Sequence, residues 1–318
     1  MKTLPLGDTG VDVSALCLGI MYFGTRTDEE TSRDLMDRYF AAGGRFLDTA
    51  NVYAHWTEEG QGGESERLLN RWLKDRGCRD EVFIASKVGF AYPGDELGGA
   101  EQTLKADVIV RECDKSLQRM GIDTIDLYYA HNDDRDTPLE ETLGAFDKLV
   151  TAGKVRFIGA SNTVSWRLAE ALCTSEYNDF ARYVAIQQKC TYLRPQRGVD
   201  YQWWPPASEE LLQCCKHRKV TPVAYSPLLR GAYTRKDKDI GNAHDTVENH
   251  ARLAALYKLA ESKRLTANQL VLAWMINHDP PILPLFSVSN ADQLKENLGA
   301  MDISLSEQEM KTLDEASA

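Results

Sequence analysis

Short apolar runs alternate along the whole chain with longer stretches of helical period. Residues 4–13 place Gly7-Asp8-Thr9-Gly10 between apolar positions, which predicts a hairpin. Buried strands are predicted at 14–18, 45–48, 82–87, 125–131, 157–160, 184–188, Thr221–Tyr225 and 282–285. The helices between them carry their own punctuation. Thr27 and Glu30 fit a capping box for the first, and Gly43-Gly44 close it. Glu64–Arg76 puts Leu68, Leu69, Trp72 and Leu73 on one face and stops at Gly77, and 107–120 stops at Gly121. Thr137, Pro138 and Glu140 start the next as cap, first-turn proline and box partner, and Gly153 ends it. Helices at 166–174, 208–219 and 248–262 follow, the last after a polar loop at 235–239, and Thr266 with Gln269 boxes another up to Asn277. Two short helices finish the chain, capped by Asn290 with Gln293 and Ser306 with Glu309.

Eight strands alternating with helices leave two architectures, a doubly wound open sheet or a barrel. An open sheet for a dinucleotide calls for G-x-G-x-x-G after its first strand, and no such match exists. Gly60-Gln61-Gly62-Gly63-Glu64-Ser65 fails at its last position and follows the second strand, and there is no G-x-x-x-x-G-K-[ST] phosphate loop. The expected fold is α/β, a (β/α)8 TIM barrel with an N-terminal β-hairpin and extra C-terminal helices, in one domain over 1–318.

Composition narrows the partners. With 318 residues, a formal net charge of −11 and a pI near 5.1, the chain lacks the basic balance that nucleic acid requires. It carries no apolar run long enough to span a bilayer and no signal peptide at Met1-Lys2-Thr3-Leu4-Pro5, so a cytoplasmic protein is expected. Seven scattered cysteines lack metal-like spacing and read as reduced thiols, with no metal site.

In a barrel of this kind the chemistry sits at the C-terminal ends of the strands. Asp48, Lys87 and His131 end three consecutive strands, and Tyr53 follows Asp48 by five residues. Each alone is ordinarily structural; together they make a proton-transfer cluster. A free phenol holds its proton too tightly for easy release at neutral pH. A neighbouring Lys87 ammonium is expected to lower the Tyr53 pKa, with Asp48 holding the lysine charged and His131 orienting a carbonyl oxygen or helping to relay the proton. The set suits general acid catalysis on a carbonyl, or removal of an alcohol proton in reverse. It lacks a nucleophile elbow, and a lysine between Asp48 and His131 opposes a metal cation.

Here the chain resembles the aldo-keto reductases over nearly its full length. Gly7-Asp8-Thr9-Gly10 and Leu18-Gly19 are similar to that family's hairpin and first strand. Phe46-Leu47-Asp48-Thr49-Ala50-Asn51-Val52-Tyr53 with Gly63-Glu64-Ser65-Glu66 resembles its first signature, and Ser116-Leu117-Gln118-Arg119-Met120-Gly121 with Asp126-Leu127-Tyr128 its second. Gly153-Lys154-Val155-Arg156 with Ile158-Gly159-Ala160-Ser161-Asn162, then Ala224-Tyr225-Ser226-Pro227-Leu228 and Gln293-Leu294-Lys295-Glu296-Asn297, complete the set.

The resemblance implies hydride transfer between a nicotinamide cofactor, NADP(H) or NAD(H), and a small-molecule carbonyl or sugar. It implies Tyr53 as proton donor, Lys87 and Asp48 as its tuning pair, and His131 as the carbonyl-orienting group. Ser161, Asn162 and Gln187 match the residues that bond the nicotinamide carboxamide, and Tyr225 the ring that stacks on it. Ile20 and Met21 match backbone contacts after the first strand, Ile20 standing where the family often has Thr. Ser226, Leu228 and Gly231 match the pyrophosphate loop. Ser287, Ser289, Gln293, Glu296 and Asn297 match contacts to the adenosine end, with the helix after Asn290 facing its phosphate.

One departure concerns the cofactor. Phe286-Ser287-Val288-Ser289-Asn290-Ala291-Asp292 has no basic residue where the family often places one for the 2′-phosphate of NADP. Serine hydroxyls, backbone N–H groups, Arg235 or Lys236 remain to supply that contact, and NAD is the alternative. For the substrate pocket the sequence offers Tyr22, Trp56, Phe90, Asn132, Tyr192, Trp203 and Trp204, with Met21 beside them. An alternative to an enzyme is a cofactor-binding regulatory barrel, as in channel β subunits related to the family.

Overall fold

The computed structural model describes every residue except Glu59, Trp203, Ser317 and Ala318. Strands β1 (Thr3–Pro5) and β2 (Asp12–Ser14) pair antiparallel as the predicted hairpin. Barrel strands β3 (Cys17–Gly19), β4 (Phe46–Asp48) and β5 (Phe83–Val88) follow. A second hairpin, β6 (Tyr92–Asp95) and β7 (Gly98–Ala100), interrupts them. The barrel resumes with β8 (Ile125–Ala130), β9 (Val155–Ser161), β10 (Tyr183–Lys189), β11 (Thr221–Tyr225) and β12 (Leu283–Phe286). These eight strands are all parallel and close into a barrel when β12 pairs with β3.

Helices α1 (Glu29–Ala41), α2 (Glu64–Arg76), α3 (Ala106–Met120), α4 (Leu139–Thr151), α5 (Ser165–Asn178) and α6 (Glu209–Arg218) each return the chain between successive barrel strands. Both α7 (Val247–Lys263) and α8 (Ala267–Ile276) lie between β11 and β12, and α9 (Ala291–Leu298) and α10 (Glu307–Asp314) follow. This is the expected (β/α)8 barrel with extra C-terminal helices.

Local chemistry explains where the predicted bounds hold and where they move. Gly77 and Gly121 end α2 and α3 in the left-handed conformation that lacks a Cβ penalty. Capping boxes form at Thr266–Gln269 and Ser306–Glu309. The first helix is capped by Asp28 rather than Thr27, whose carbonyl is already taken by the Gly24 N–H and the Ser32 hydroxyl. Thr137 does not cap α4 either. Its hydroxyl donates to Asp134 at 2.8 Å, and α4 starts after Pro138 without a side-chain cap. Asn290 caps α9, but Gln293 answers Ser289 rather than Asn290, so no reciprocal box closes.

The barrel interior packs Cys17, Phe46, Phe83, Ala85, Leu127, Tyr129, Val223 and Leu283 with Leu6 and Val13 of the first hairpin. That hairpin stoppers the N-terminal end: Gly7 N–H donates to Thr221 Oγ1 at 2.7 Å, and Thr221 Oγ1 donates to the Pro5 carbonyl at 2.9 Å. The C-terminal end stays open as the mouth. Gly159 makes room inside, since a Cβ there would sit 2.6 Å from the Tyr129 ring.

Candidate active site

Asp48, Lys87 and His131 reach the mouth because β4, β5 and β8 end there, and Tyr53 reaches it from a turn after β4. Lys87 Nζ is the hub. It donates to Asp48 Oδ1 at 2.5 Å, to the Thr49 carbonyl at 2.8 Å and to Tyr53 Oη at 2.8 Å. The second Asp48 oxygen accepts from Gln187 Nε2 at 2.8 Å. The His131 ring stands edge-on to Tyr53 with centroids 5.7 Å apart. Lys87 and Asp48 are fully buried, so their mutual charge is screened little by solvent.

Burial raises the Asp48 carboxyl and lowers the Lys87 ammonium, while the charge of each and the bond between them pull both back toward the ionised forms. The Tyr53 phenol departs from expectation. Burial, then the Asp48 carboxylate, hold it well above its ordinary value, and the Lys87 contact does not overcome them. Burial and the Lys87 charge push His131 well below its ordinary value, so its imidazole is neutral. Its Nδ1 is buried with no hydrogen-bond partner among the described residues.

Around this centre, the ends of β9, β10 and β11 gather amides, hydroxyls and a ring. Asn162 Nδ2 donates to the His131 carbonyl at 2.8 Å and to Ser161 Oγ at 3.1 Å, and Tyr225 Oη donates to Asn162 Oδ1 at 2.8 Å. Ser161 Oγ donates to the Gln187 carbonyl at 2.9 Å. Asn162 (φ 56), Ser226 (φ 56), Leu229 (φ 47) and Arg230 (φ 58) are all left-handed without being glycine, and Gly231 joins them at φ 88. Such strained backbone gathers at functional loops. Ile20 N–H donates to the Asp48 carbonyl at 3.0 Å, with half-buried Met21 beside it. At the other rim Ser287 and Ser289 are exposed, Gln293 and Glu296 half-buried and Asn297 buried.

Four of the expected pocket residues form an aromatic rim. Tyr22 and Tyr53 each meet Trp56 edge-on, at 6.3 and 6.4 Å, and Phe90 stacks on Trp204 at 5.2 Å while its edge meets His131 at 4.8 Å. Asn132 is buried beneath them, donating to the Gly89 carbonyl at 3.0 Å. Tyr192 does not join this rim. It packs against Trp274 at 5.2 Å in the cluster under α7 and α8, and its hydroxyl donates to the Leu313 carbonyl at 2.9 Å. Trp203 lies outside the described residues.

A buried ion network behind the site escaped the sequence reading. Arg119, on α3, donates to Asp95 at 2.6 Å, Tyr92 Oη at 2.6 Å and Glu66 at 3.2 Å, and Glu66 accepts from Ser86 at 2.7 Å, next to Lys87. The Ser116–Gly121 motif held Arg119, but nothing in it identified the partners.

A sequence model of the Aldo/keto reductase family matches residues 15–318. Norsolorinic acid reductase stcV of Emericella nidulans is 30% identical, over 96% of this chain and 79% of that protein. The uncharacterized oxidoreductase YrpG of Bacillus subtilis is 32% identical, over 99% and 95%. Aldo-keto reductase yakc [NADP(+)] of Schizosaccharomyces pombe is 29% identical, over 97% and 89%. The crystal structure of the thermostable aldo-keto reductase Tm1743 with the inhibitor epalrestat superposes with a TM-score of 0.77 at 29% identity, covering 100% of both chains. Closed barrel, family match and matched length agree: the chain belongs to the aldo/keto reductase family of oxidoreductases.

Proposed function

We propose that the chain is an NAD(P)-dependent oxidoreductase that transfers a hydride between nicotinamide and the carbonyl or alcohol carbon of an aldehyde, ketone or sugar. Tyr53 is the general acid in reduction and the general base in oxidation. The observation that carries this reading is the Lys87 ammonium lying 2.8 Å from the Tyr53 hydroxyl and 2.5 Å from Asp48 at the barrel mouth.

A phenol kept protonated by burial is a donor only when charge develops on an acceptor. A carbonyl oxygen that turns into an alkoxide creates that charge, and Tyr53 gives it a proton. Lys87 then stabilises the phenolate, and Asp48 with the Thr49 carbonyl keeps the ammonium in place. Neutral His131 has one N–H to offer the carbonyl oxygen, which fixes the carbonyl's angle. The nicotinamide, when bound, supplies or accepts the hydride.

The donor set fits such a cofactor. Asn162, Ser161 and Gln187 are amides and a hydroxyl suited to a carboxamide, Tyr225 offers a ring face, and the strained Ser226–Gly231 loop and the N-terminus of α9 suit phosphates. The Schizosaccharomyces pombe relative, named as an NADP(+) enzyme, supports NADP(H). The acidic Asp292 and the bidentate engagement of Arg235 by Asp237 support NAD(H) as the second choice. Titrating the protein with NADPH and NADH, then assaying aldehydes, ketones and aldoses in both directions, tests the whole reading. Binding with turnover supports it; binding of neither nucleotide overturns it.

A further inference from the structure

The turn that carries Tyr53 is held from behind by a carboxylate outside the proton-transfer cluster. Asn51 lies midway between Thr49, whose carbonyl accepts from Lys87, and Tyr53, and it is fully buried. Its Nδ2 donates to Glu112 Oε2 of α3 at 3.1 Å, and its Oδ1 is buried with no hydrogen-bond partner among the described residues. Packing alone would favour an apolar residue here, because a half-satisfied buried amide costs free energy. What the amide supplies is the bond to Glu112, and the carboxylate attracts only its N–H end.

The same carboxylate oxygen accepts from Tyr92 Oη at 2.9 Å, and Tyr92 packs in one cluster with Ala50 and Val52, against which Tyr53 lies. Glu112 thus holds residue 51 by a hydrogen bond and both of its neighbours through a ring. Its other oxygen turns away, to Lys115 Nζ at 2.9 Å. The place of the phenol follows from this turn, since Tyr53 N–H donates to the Ala50 carbonyl at 3.3 Å and Ala54 beyond it is left-handed at φ 68. Tyr53 Oη has to stay at 2.8 Å from Lys87 Nζ for the ammonium to support a phenolate. We propose that Glu112 is a positioning residue for Tyr53, acting through Asn51 to fix the phenol against Lys87. This inference rests on the reading of Tyr53 as the acid in hydride transfer.

The test compares wild type, Glu112→Met, Glu112→Gln, Asn51→Leu and the Glu112→Met/Asn51→Leu pair. Each is followed by steady-state reduction of a carbonyl panel, by titration with NADPH and NADH, and by thermal unfolding. Glu112→Met and Asn51→Leu should each lower kcat about ten- to a hundredfold, with KM and nucleotide affinity within about twofold of wild type. The pair should be no slower than the slower single variant, because both changes remove one bond. Glu112→Gln keeps an acceptor for Asn51 and should restore most of the turnover. Should Glu112→Met fail to fold, Asn51→Leu decides, since it leaves the contact between Glu112 and Lys115 in place. Wild-type kcat in Asn51→Leu overturns the inference whatever its melting temperature, and leaves Tyr53 as the acid. Losses that multiply in the pair also overturn it, as does a loss that Glu112→Gln shares in full, which would assign the effect to charge. Wild-type protein that binds neither nucleotide overturns the parent reading and this one with it.

Discussion

Gln187 Nε2 and Lys87 Nζ divide the Asp48 carboxylate between them, the amide on Oδ2 at 2.8 Å and the ammonium on Oδ1 at 2.5 Å. The two donors come from opposite halves of the sequence, so one buried carboxylate ties β4 and β5 to β10 across the barrel axis.

Replacing Asp48 with Asn leaves a buried ammonium without its counter-charge. The expected cost is about 3–5 kcal/mol of stability at neutral pH. The sign of its pH dependence follows from Lys87. Burial already lowers its folded pKa, and loss of the carboxylate lowers it further, while the unfolded lysine keeps its proton up to about 10.4. The unfolded chain then binds more protons, so Asp48→Asn should gain stability relative to wild type as pH rises from 6.5 to 9. Denaturant unfolding at the two values checks this; an equal deficit at both would show that Lys87 is not the group left exposed to the change.

Tyr53→Phe removes the proposed donor and keeps the ring that meets Trp56 and His131. Turnover should fall by about two to four orders of magnitude, with the affinity for reduced nucleotide changing little. Near-full turnover would end the role of Tyr53 as acid.

His131 has a folded pKa well below its ordinary 6.5. Its contribution is complete above pH 6.5 and is lost as pH falls toward the folded value, because the unfolded chain takes up the proton first. Wild type should lose up to about 1.4 kcal/mol per pH unit from this group on acidification. In His131→Gln that component should vanish, giving a shallower stability slope between pH 6.5 and 5. Parallel slopes would place the uncharged histidine elsewhere.

Arg119→Met takes the guanidinium away from Glu66 and Asp95, both with fully buried side chains. Burial pulls Asp95 up, but the bonds and charge of Arg119, with help from Leu97 and Arg67, outweigh it and leave it at about 2. Without Arg119 only Leu97 and Arg67 oppose that burial. The variant should be about 3–5 kcal/mol less stable near pH 7, and the gap should narrow toward pH 4, where an Asp95 carboxyl no longer held down by Arg119 can protonate. A gap that widens on acidification would contradict the assignment.

Trp204→Ala removes the ring stacked on Phe90. KM for aromatic carbonyls should rise about three- to tenfold while short aliphatic aldehydes are affected less. An equal effect on both would mean that Trp204 only packs its loop.

What the sequence made legible was whatever short-range chemistry decides. Asp48, Lys87 and His131 stood out because a polar residue ends an apolar run, and Thr266 with Gln269 because the two bond each other across one helical turn. The β6–β7 hairpin was invisible: its Tyr92-Pro93-Gly94-Asp95 run reads as loop, and it is held by Arg119 and Glu112, 20 to 27 residues on from Tyr92 in α3. Tyr192 was misplaced for the same reason. Strand position puts it near the mouth, but Trp274 and the Leu313 carbonyl, far along the chain, take its ring and hydroxyl. Thr27 and Asp28 are both good caps, and only the Gly24 turn decides between them.

The seam where β12 meets β3 rests on two register pairs, Leu285 with Cys17 and Phe286 with Leu18. It joins the first barrel strand in chain order to the eighth. Until β12 emerges, β3 presents a bare apolar edge, the kind of template on which nascent chains stick to one another. The burden of this architecture thus falls on biosynthesis: one edge of β3 waits unshielded until the last of the other seven barrel strands has been made.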